Sequence, residues 1–421
     1  MKFKINVEKF MKSLIPLYDI AIRNYEKEWE SAQKITFNTS EDKLVATSHG
    51  GYASIIVPIS NSKMGGLQYE CKEEGEATLN AESLFKSLDS FPKSEIIEID
   101  TSTHKFIMTY HNQAGKQAQK LVLESEKVKP PVLATEFEKS VEVNREVFIE
   151  GMEKVFFAIG FAETQPHYMC QLFQVEKNKV RFAAGTGARF AISDVDGKNI
   201  VKTDKKENFI IPKQNISNII TVLKNSSVEN ITIKQAQSHT GKTDNPAQIV
   251  IELEDVKLII LGIDTSIVYP PLNKIIQYDY SYKISTKLVD WQPIIKGIDA
   301  TYDSDIKAEH DIHNTDISAN FDKKHFLIET FSRQQAERRI NFEIINIKGE
   351  KKQPEFRCNS TYLIEMISRT KQNGNLVISF DDKPEDTEER SKPITVAFPE
   401  NINEVKKTKE HFHIFFATSN R

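Results

Sequence analysis

The chain has 421 residues, a length that suggests about three domains, and its 56 basic and 60 acidic residues give a net charge of −4. This balance excludes a uniformly basic protein that coats nucleic acid, although it leaves room for a local basic lining. Hydrophobic residues make up 39% and charged residues 28% of the chain, which excludes wholesale disorder.

The sequence favours a cytoplasmic location. Residues 1–6 contain no apolar segment, so we expect no secretory signal. The most apolar run, residues 258–263, is too short to cross a bilayer. Cys71, Cys170 and Cys358 lie far apart and form no CxxC pair, which predicts neither a disulfide framework nor a zinc site.

One helical pattern occurs three times along the chain. It begins at Asn6, Asn144 and Ser285, and apolar residues then follow at the spacing of a helix with one buried face. Asn and Ser are favourable N-cap residues, so each is predicted to cap its helix. Pro16 and Pro293 lie inside two of the copies and are expected to kink those helices or to end their first turns.

A second, shorter helical pattern also occurs three times. Asn80 and Asn359 are predicted to be N-caps, and Pro212 is predicted to lie in a first helical turn. An alternating strand follows each copy directly. These strands are expected at residues 97–99, 231–233 and 376–380.

The segments between the helices alternate between apolar and polar residues, as in residues 43–47 and 179–183, and predict antiparallel strands. The repeating unit is therefore about 140 residues long, in the order helix, strands, helix, strands. Polar or proline-bearing connectors lie near residues 127–131 and 278–281. The prediction is an α+β fold of three similar domains, each with two helices packed on antiparallel sheets. The predicted domains are residues 1–135, 136–280 and 281–421.

Residues 184–192, 269–276 and 413–416 lie on this threefold repeat, and together with it they resemble the bacterial sliding clamp, the beta subunit of DNA polymerase III. Residues 184–192, Ala-Gly-Thr-Gly-Ala-Arg-Phe-Ala-Ile, resemble the family's Ala-Thr-Asp-Gly-His-Arg-Leu-Ala segment. Residues 269–276, Tyr-Pro-Pro-Leu-Asn-Lys-Ile-Ile, are similar to its Phe-Pro-Asp-Tyr-Arg-Arg-Val segment. The strand at residues 413–416 is similar to one near the family's C-terminus. These matches occur in the family's order and spacing along the threefold repeat. The resemblance therefore covers the whole chain.

The resemblance implies a ring of two subunits joined head to tail, with duplex DNA passing through a central hole lined by helices. It implies no catalytic chemistry, no cofactor and no membrane. The implied partners are duplex DNA, a replicative DNA polymerase and a clamp loader ATPase that opens the ring.

Basic residues on or near the helices suit such a lining, because phosphates attract cations without base readout. The alternative is that each is a solvated surface charge. The candidate channel residues are Lys9, Lys12, Arg23, Lys86, Lys93, Arg145, Lys154, His167, Lys213, Lys224, Lys287, Lys296, Arg369 and Lys371.

Clamps of this family bind short partner peptides in an apolar pocket, and the resemblance implies its residues here. They are Tyr168, Gly185, Gly187, Ala188, Arg189, Phe190, Pro270, Lys274, Ile275, Ile414, Phe416, Ala417 and Thr418. Aromatic and aliphatic walls suit apolar peptide side chains. The alternative is that the aromatic members are ordinary core residues.

The segment at residues 185–189 and the chain end at residues 416–420 both depart from the family pattern. The pocket is therefore expected to have a different shape and to prefer a different peptide.

Other functions have weaker support in the sequence. The Gly185-x-Gly187 pair lacks the third glycine and the helix of a nucleotide-binding loop. His310 and His313 are three residues apart, which on a strand points them to opposite sides, so we expect no metal site there. The main alternative function is a clamp-like scaffold that binds proteins without encircling DNA, and an enzyme ranks third.

Overall fold

The structure is a computed structural model of the chain. The structure describes residues 1–23, 33–50, 52–60, 69–101, 105–126, 133–160, 165–176, 179–196, 201–202, 206–236, 247–261, 263–264, 266–272, 280–301, 314–331, 335–348, 354–368, 374–381, 394–397 and 411–416.

The first repeat begins with a strand that leads directly into a helix. A second helix follows after five more strands, and three strands complete the repeat. The elements are β1 (Lys2–Asn6), α1 (Val7–Arg23), β2 (Lys34–Thr39), β3 (Leu44–His49), β4 (Ala53–Ile59), β5 (Glu70–Glu73), β6 (Gly75–Asn80), α2 (Ala81–Asp89), β7 (Ile96–Asp100), β8 (Lys105–His111) and β9 (Gln117–Glu124).

The second repeat has the same order of elements and adds a short 3-10 helix, Pro166–Met169, after its first helix. Its elements are β10 (Lys139–Asn144), α3 (Arg145–Phe156), β11 (Cys170–Glu176), β12 (Lys179–Gly185), β13 (Arg189–Asp196), β14 (Val201–Lys202), β15 (Glu207–Pro212), α4 (Lys213–Lys224), β16 (Asn230–Ala236), β17 (Gln248–Leu253) and β18 (Val256–Ile260).

The third repeat again places one strand before its first helix, five strands between its helices and three strands after the second. Its elements are β19 (Tyr282–Lys287), α5 (Leu288–Thr301), β20 (Asn314–Asn320), β21 (His325–Phe331), β22 (Gln335–Asn341), β23 (Glu343–Ile347), β24 (Glu355–Asn359), α6 (Ser360–Ser368), β25 (Asn375–Phe380), β26 (Ile394–Ala397) and β27 (His411–Phe416). The threefold order of helices and strands predicted from the sequence is confirmed.

The predicted helix caps are confirmed for the asparagines. The side-chain oxygen of Asn6 accepts from the Lys9 backbone N–H at 3.1 Å, and that of Asn80 accepts from Ser83 at 3.0 Å. Asn144 and Asn359 accept in the same way from backbone N–H groups at the starts of α3 and α6. Such caps satisfy donors that the first helical turn leaves without a partner.

Three details differ from the predictions. Ser285 is not an N-cap: it is buried within β19, because that strand continues to Lys287 and the helix begins only at Leu288. Pro16 and Pro293 lie inside α1 and α5, and neither ends its helix. Pro212 is the N-cap residue of α4, one position before the first helical turn.

Strands of successive repeats join into continuous sheets. One nine-stranded sheet has the order β14-β10-β16-β17-β18-β4-β3-β2-β6, so β18 of the second repeat pairs with β4 of the first. A second nine-stranded sheet has the order β15-β11-β12-β13-β27-β26-β25-β19-β23, so β27 of the third repeat pairs with β13 of the second. The remaining sheets are β5-β1-β7-β8-β9 and β22-β21-β20-β24.

The chain divides into two compact units. The first comprises residues 1–149, 200–203 and 211–266, and the second comprises residues 150–199, 204–210 and 267–421. The predicted three domains divide the chain at other residues, because the sheets join parts of neighbouring repeats. These domain boundaries remain a prediction.

Each unit has its own apolar core. In the first unit, the side chains of Phe3, Phe10, Phe37 and Phe106 are completely buried, and neighbouring rings contact one another. In the second unit, Trp291 is buried and its indole N–H donates to the Thr286 hydroxyl at 2.7 Å. Among the helices that the structure describes, none is long and apolar enough to cross a membrane.

Candidate peptide pocket and basic helix residues

The strands β12 and β13 place the most specific sequence motif in a tight turn. Gly185 lies opposite Phe190 in the antiparallel pair. Between them, the Thr186 N–H donates to the Arg189 carbonyl at 2.7 Å, and the Thr186 hydroxyl accepts from the N–H groups of Ala188 and Arg189. Thr186 thereby fixes the turn through a local side-chain hydrogen bond, a role that the sequence analysis did not assign.

Gly185 allows the ring of Phe190 to lie directly on the backbone. A Cβ atom at position 185 would lie 2.2 Å from the Phe190 Cδ1 atom, a separation that no real contact tolerates. At Gly187 a Cβ atom would meet no atom within 4 Å. The two glycines of the motif therefore have different structural roles, and only Gly185 positions the aromatic ring.

Phe190 packs against an apolar cluster on one face of this sheet. The buried members of the cluster are Leu172, Ala183, Ile192, Tyr269 and Leu272, and Phe190 and Ile210 pack against them as half-buried residues. The ring of Tyr168 lies edge-on to Phe190, with 6.0 Å between centroids.

Both Tyr168 and Phe190 are half-buried, whereas ordinary core residues would be fully buried. The cluster therefore presents two aromatic rings at its surface. Pro270, also half-buried, lies beside Tyr269 in the chain.

The structure brings all three predicted pocket segments together. Strand β27 pairs with β13, so that the backbone of Ile414 is opposite Ala191 and the backbone of Phe416 is opposite Arg189. Tyr269 and Leu272, which belong to the second predicted segment, are buried members of the cluster. Four of the predicted pocket residues lie outside the described residues: Lys274, Ile275, Ala417 and Thr418.

Arg189 points away from this cluster, because neighbouring residues of a strand face opposite sides. Its guanidinium donates to the Phe157 carbonyl at 2.7 Å, forms an ion pair with Glu365 of α6 and lies 4.4 Å from the centre of the Tyr362 ring. The side chain is buried. Arg189 thus connects β13 to α6 within the second unit.

A buried ion pair lies on the same sheet face as the cluster. The Arg181 guanidinium donates to both carboxylate oxygens of Asp194, at 2.6 and 2.8 Å, and Lys179 lies 2.8 Å from the second oxygen. Burial favours a raised pKa for Asp194, but the hydrogen bonds and charges of Arg181 and Lys179 outweigh it and hold that pKa below its usual range. Two opposite charges that face each other on neighbouring strands can be recognised in the sequence only when the register of the two strands is known.

Two buried polar atoms beside the cluster have no hydrogen-bond partner among the described residues. They are the Tyr269 hydroxyl and the His167 Nε2 atom. The His167 ring lies 4.2 Å from the centroid of Tyr168 and 6.1 Å from that of Tyr269. Burial lowers the pKa of His167, which favours a neutral ring. His167, predicted as a DNA neighbour, is thus placed beside the candidate pocket.

Several predicted channel lysines form ion pairs with an acidic residue four positions earlier. The Nζ atoms of Lys12, Lys86, Lys93 and Lys154 lie 2.6, 2.5, 2.7 and 2.9 Å from the carboxylates of Glu8, Glu82, Asp89 and Glu150. Pairs of this spacing contribute about 0.3–0.5 kcal/mol, so they open readily. Three of these lysines lie on helices, Lys12 on α1, Lys86 on α2 and Lys154 on α3, and there a neighbouring carboxylate offsets each positive charge.

Arg145 is held inside the protein. Its guanidinium donates to the Leu223 carbonyl at 3.0 Å and to the Ser226 carbonyl. Its positive charge therefore lies at the C-terminal end of α4, where the helix dipole favours a cation. The side chain is 14% exposed.

The other channel candidates differ in their exposure to solvent, and some lie outside the described residues. Lys224, Lys287 and Lys296 are exposed, and Lys9 and Lys213 are half-buried. Arg23 is the last residue of α1, and Arg369 and Lys371 lie outside the described residues.

Among the described residues, no group of three or more histidine, cysteine or acidic side chains could hold a metal ion. His310 and His313, which the sequence analysis considered as ligands, lie outside the described part of the chain.

Solved structures show which known fold this is. A DNA polymerase sliding clamp from Pseudomonas aeruginosa, solved with a ligand, is 13% identical, with a TM-score of 0.78 and coverage of 100% of both chains. A sliding clamp from Bacillus subtilis is 14% identical, with a TM-score of 0.75 over 100% of this chain and 99% of the other. A putative DNA polymerase III beta subunit from Eubacterium rectale is 15% identical, with a TM-score of 0.74 and the same coverage.

The class of fold is therefore that of the DNA sliding clamps. More particularly, the full chain has the fold of the bacterial DNA polymerase III beta subunit, as the sequence resemblance predicted. No protein-family model and no curated protein matches the sequence.

Proposed function

We propose that this protein is a sliding clamp, a processivity factor that encircles duplex DNA and tethers a replicative DNA polymerase. The observation that carries the proposal is the match of the whole chain to sliding clamps over their whole length, at a TM-score of 0.78. The threefold recurrence of the strand–helix order supports it, with domains at residues 1–135, 136–280 and 281–421. The role requires no catalytic residue, cofactor or metal ion, and we place it in the cytoplasm.

The pairing of helix lysines with carboxylates suits a clamp that slides. Lysines that already pair with a neighbouring carboxylate can exchange it for a phosphate at small cost. Such contacts read no bases, so the DNA can move along them. Retention of DNA then depends on closure of the ring, which we propose to be a head-to-tail dimer opened by a clamp loader ATPase.

The pocket around Phe190 is the proposed site for partner peptides. Its half-buried rings, Tyr168 and Phe190, lie over an apolar floor, an arrangement that suits apolar peptide side chains. A similar clamp from Pseudomonas aeruginosa has been solved bound to griselimycin, and we propose that this compound also binds the present chain. Arg189 would act by holding β13 in place rather than by touching the peptide.

Two measurements test the clamp proposal. Negative-stain images of the purified protein at micromolar concentration should show closed rings with a central hole. Protein closed around a nicked circular plasmid should stay bound at high salt and be released when the plasmid is cut once. The proposal would be contradicted if the images showed elongated single chains at every concentration and if the protein were retained equally on circular and linear DNA.

A clamp-like scaffold that does not encircle DNA is the second candidate, because the paired helix lysines leave little net positive charge. In that case griselimycin or a partner peptide would bind while the plasmid showed no topological retention.

A further inference from the structure

The floor of the candidate pocket contains a polar group that the chain itself does not satisfy. The side chain of Tyr269 is only 9% exposed, and its hydroxyl has no hydrogen-bond partner among the described residues. The buried Nε2 atom of the neighbouring His167 also lacks a partner there. Buried polar groups in folded proteins are hydrogen-bonded with few exceptions, because burial removes the water that would otherwise satisfy them. The missing partner is therefore either an ordered water molecule or a polar group of a bound ligand.

The two atoms lie among the aromatic rings of the candidate pocket. The ring of His167 is 6.1 Å from that of Tyr269 and 4.2 Å from that of Tyr168, and Tyr168 lies edge-on to Phe190. His167, Tyr168 and Phe190 are half-buried, whereas Tyr269 belongs to the buried apolar cluster. The unsatisfied hydroxyl thus belongs to the floor of a pocket whose rings remain partly open to solvent.

The segment that carries Tyr269 also exposes an apolar side chain. Val268 directly precedes Tyr269 and is 81% exposed, the largest value among the exposed large apolar residues of the described chain. A partner that covers such a surface removes apolar area from water, whereas a water molecule at the hydroxyl does not. The combination of exposed apolar area and unsatisfied polar atoms favours a ligand over a water molecule.

Both polar atoms belong to uncharged groups. Burial lowers the pKa of His167 and raises the pKa of Tyr269, to which the nearby Cys170 thiol and Tyr168 phenol add smaller effects. A phenol hydroxyl donates and accepts hydrogen bonds, and the Nε2 atom of a neutral imidazole does one or the other. The site therefore suits a neutral polar group, since a buried charge without a counter-charge costs far more to desolvate.

A ligand reaches the floor by moving side chains alone. His167 and Tyr168 lie on the short 3-10 helix Pro166–Met169, outside the strands of the sheet. Rotation of their half-buried rings therefore breaks no strand pairing. Rotamer changes of this kind are common in complexes whose backbone hardly moves on binding.

We infer that the pocket takes from its partner peptide a tyrosine side chain, which combines an apolar ring with a neutral hydroxyl at its tip. The ring packs against the aromatic and aliphatic floor, and the hydroxyl forms a hydrogen bond with the hydroxyl of Tyr269, beside His167. A phenylalanine at the same place leaves the buried hydroxyl unsatisfied, so one oxygen atom of the peptide determines specificity. This inference rests on the proposed function of the pocket as the partner-peptide site.

Two blocked dipeptides that differ by one oxygen atom test the inference. Acetyl-leucyl-tyrosine amide should bind the protein about tenfold more tightly than acetyl-leucyl-phenylalanine amide in saturation-transfer NMR titrations, because one buried hydrogen bond separates them. Tyr269→Phe should abolish this preference and bind the phenylalanine peptide at least as well as the parent does. His167→Phe should reduce the preference without reversing it.

Tyr69→Phe is the matched control. It removes a tyrosine hydroxyl of the first unit that already donates to the Ser40 carbonyl, so the preference between the peptides should stay unchanged. Equal affinity of the parent for the two peptides, or a preference that survives Tyr269→Phe, overturns the inference.

Phe190→Ala separates the inference from the pocket assignment, because it should weaken both peptides alike by about tenfold. If the parent binds both peptides equally and Phe190→Ala weakens both, the pocket stands and only the selection of the hydroxyl fails. If neither peptide binds, or if Phe190→Ala changes neither affinity, the pocket assignment and the inference fail together.

Discussion

At the scale of single residues, the candidate pocket depends on a position without a side chain as well as on its aromatic rings. Gly185 has no side chain, and the ring of Phe190 occupies the space that a Cβ atom would need. The resemblance to the family motif predicted a site at this turn, but it did not distinguish Gly185 from Gly187. The distinction between them required the position of the ring, which no spacing of residues in a strand encodes.

Gly185→Ala should lower the free energy of unfolding by about 1–3 kcal/mol, because the added Cβ atom overlaps the Phe190 ring and forces it to move. Partner-peptide affinity at the proposed pocket should fall with it. Denaturant unfolding and calorimetric titration measure the two effects. Gly187→Ala is the matched control and should change neither, since its Cβ atom meets open space.

Tyr269→Phe should leave the free energy of unfolding unchanged or raise it by about 1 kcal/mol, because the buried hydroxyl has no hydrogen-bond partner among the described residues. Tyr69→Phe is the matched control: that hydroxyl donates to the Ser40 carbonyl at 2.9 Å, and its loss should cost about 1 kcal/mol. Equal losses in the two variants would show that Tyr269 has an undetected partner.

At the scale of elements, strand–helix boundaries were the most predictable feature. Asparagine marks four of the six described helix starts, since its side chain satisfies a backbone donor locally. Ser285 misled the prediction because the chain passes from β19 to α5 at Lys287, which has no capping oxygen. The Arg181–Asp194 pair and the inward position of Arg145 depend on contacts between residues distant in sequence, which periodicity does not contain.

Asp194→Asn should destabilise the protein by about 3–5 kcal/mol at pH 7, because it leaves Arg181 buried without its counter-charge. The pKa of Asp194 is lowered in the folded state, so its stabilising effect is present above the unfolded value of about 3.9 and is lost as pH falls through the folded value. Unfolding curves recorded from pH 7 to pH 2 should show the difference between variant and parent shrinking below about pH 4. A constant difference would mean that the carboxylate is not the stabilising form.

At the scale of the whole molecule, the threefold repeat was legible in the sequence because each copy must form its own helices and strands. The joining of strands between repeats was not legible, since the same alternating pattern suits a strand at an edge or at a junction. The pairing of Lys12, Lys86 and Lys154 with an acidic residue four positions earlier could have been predicted, because that spacing places both side chains on one face of a helix.

A triple variant, Lys12→Glu, Lys86→Glu and Lys154→Glu, should reduce retention on circular DNA and lower the salt dependence of binding. Each substitution removes a cation that could bind a DNA phosphate. Griselimycin affinity should stay unchanged. Lys105→Glu, at an exposed position of β8, serves as the control and should leave retention intact. Unchanged retention in the triple variant would favour a different DNA-facing surface.

The pairing of β27 with β13 also sets an order for synthesis of the protein. All segments of the first compact unit have been synthesised once residue 266 is made, so its two sheets can form before the rest of the second unit is complete. The strand β13 is made before that point, yet its neighbour β27 ends only at Phe416. The apolar edge of β13 therefore stays unpaired while more than a third of the protein is translated. The nascent chain is most prone to aggregation during this interval.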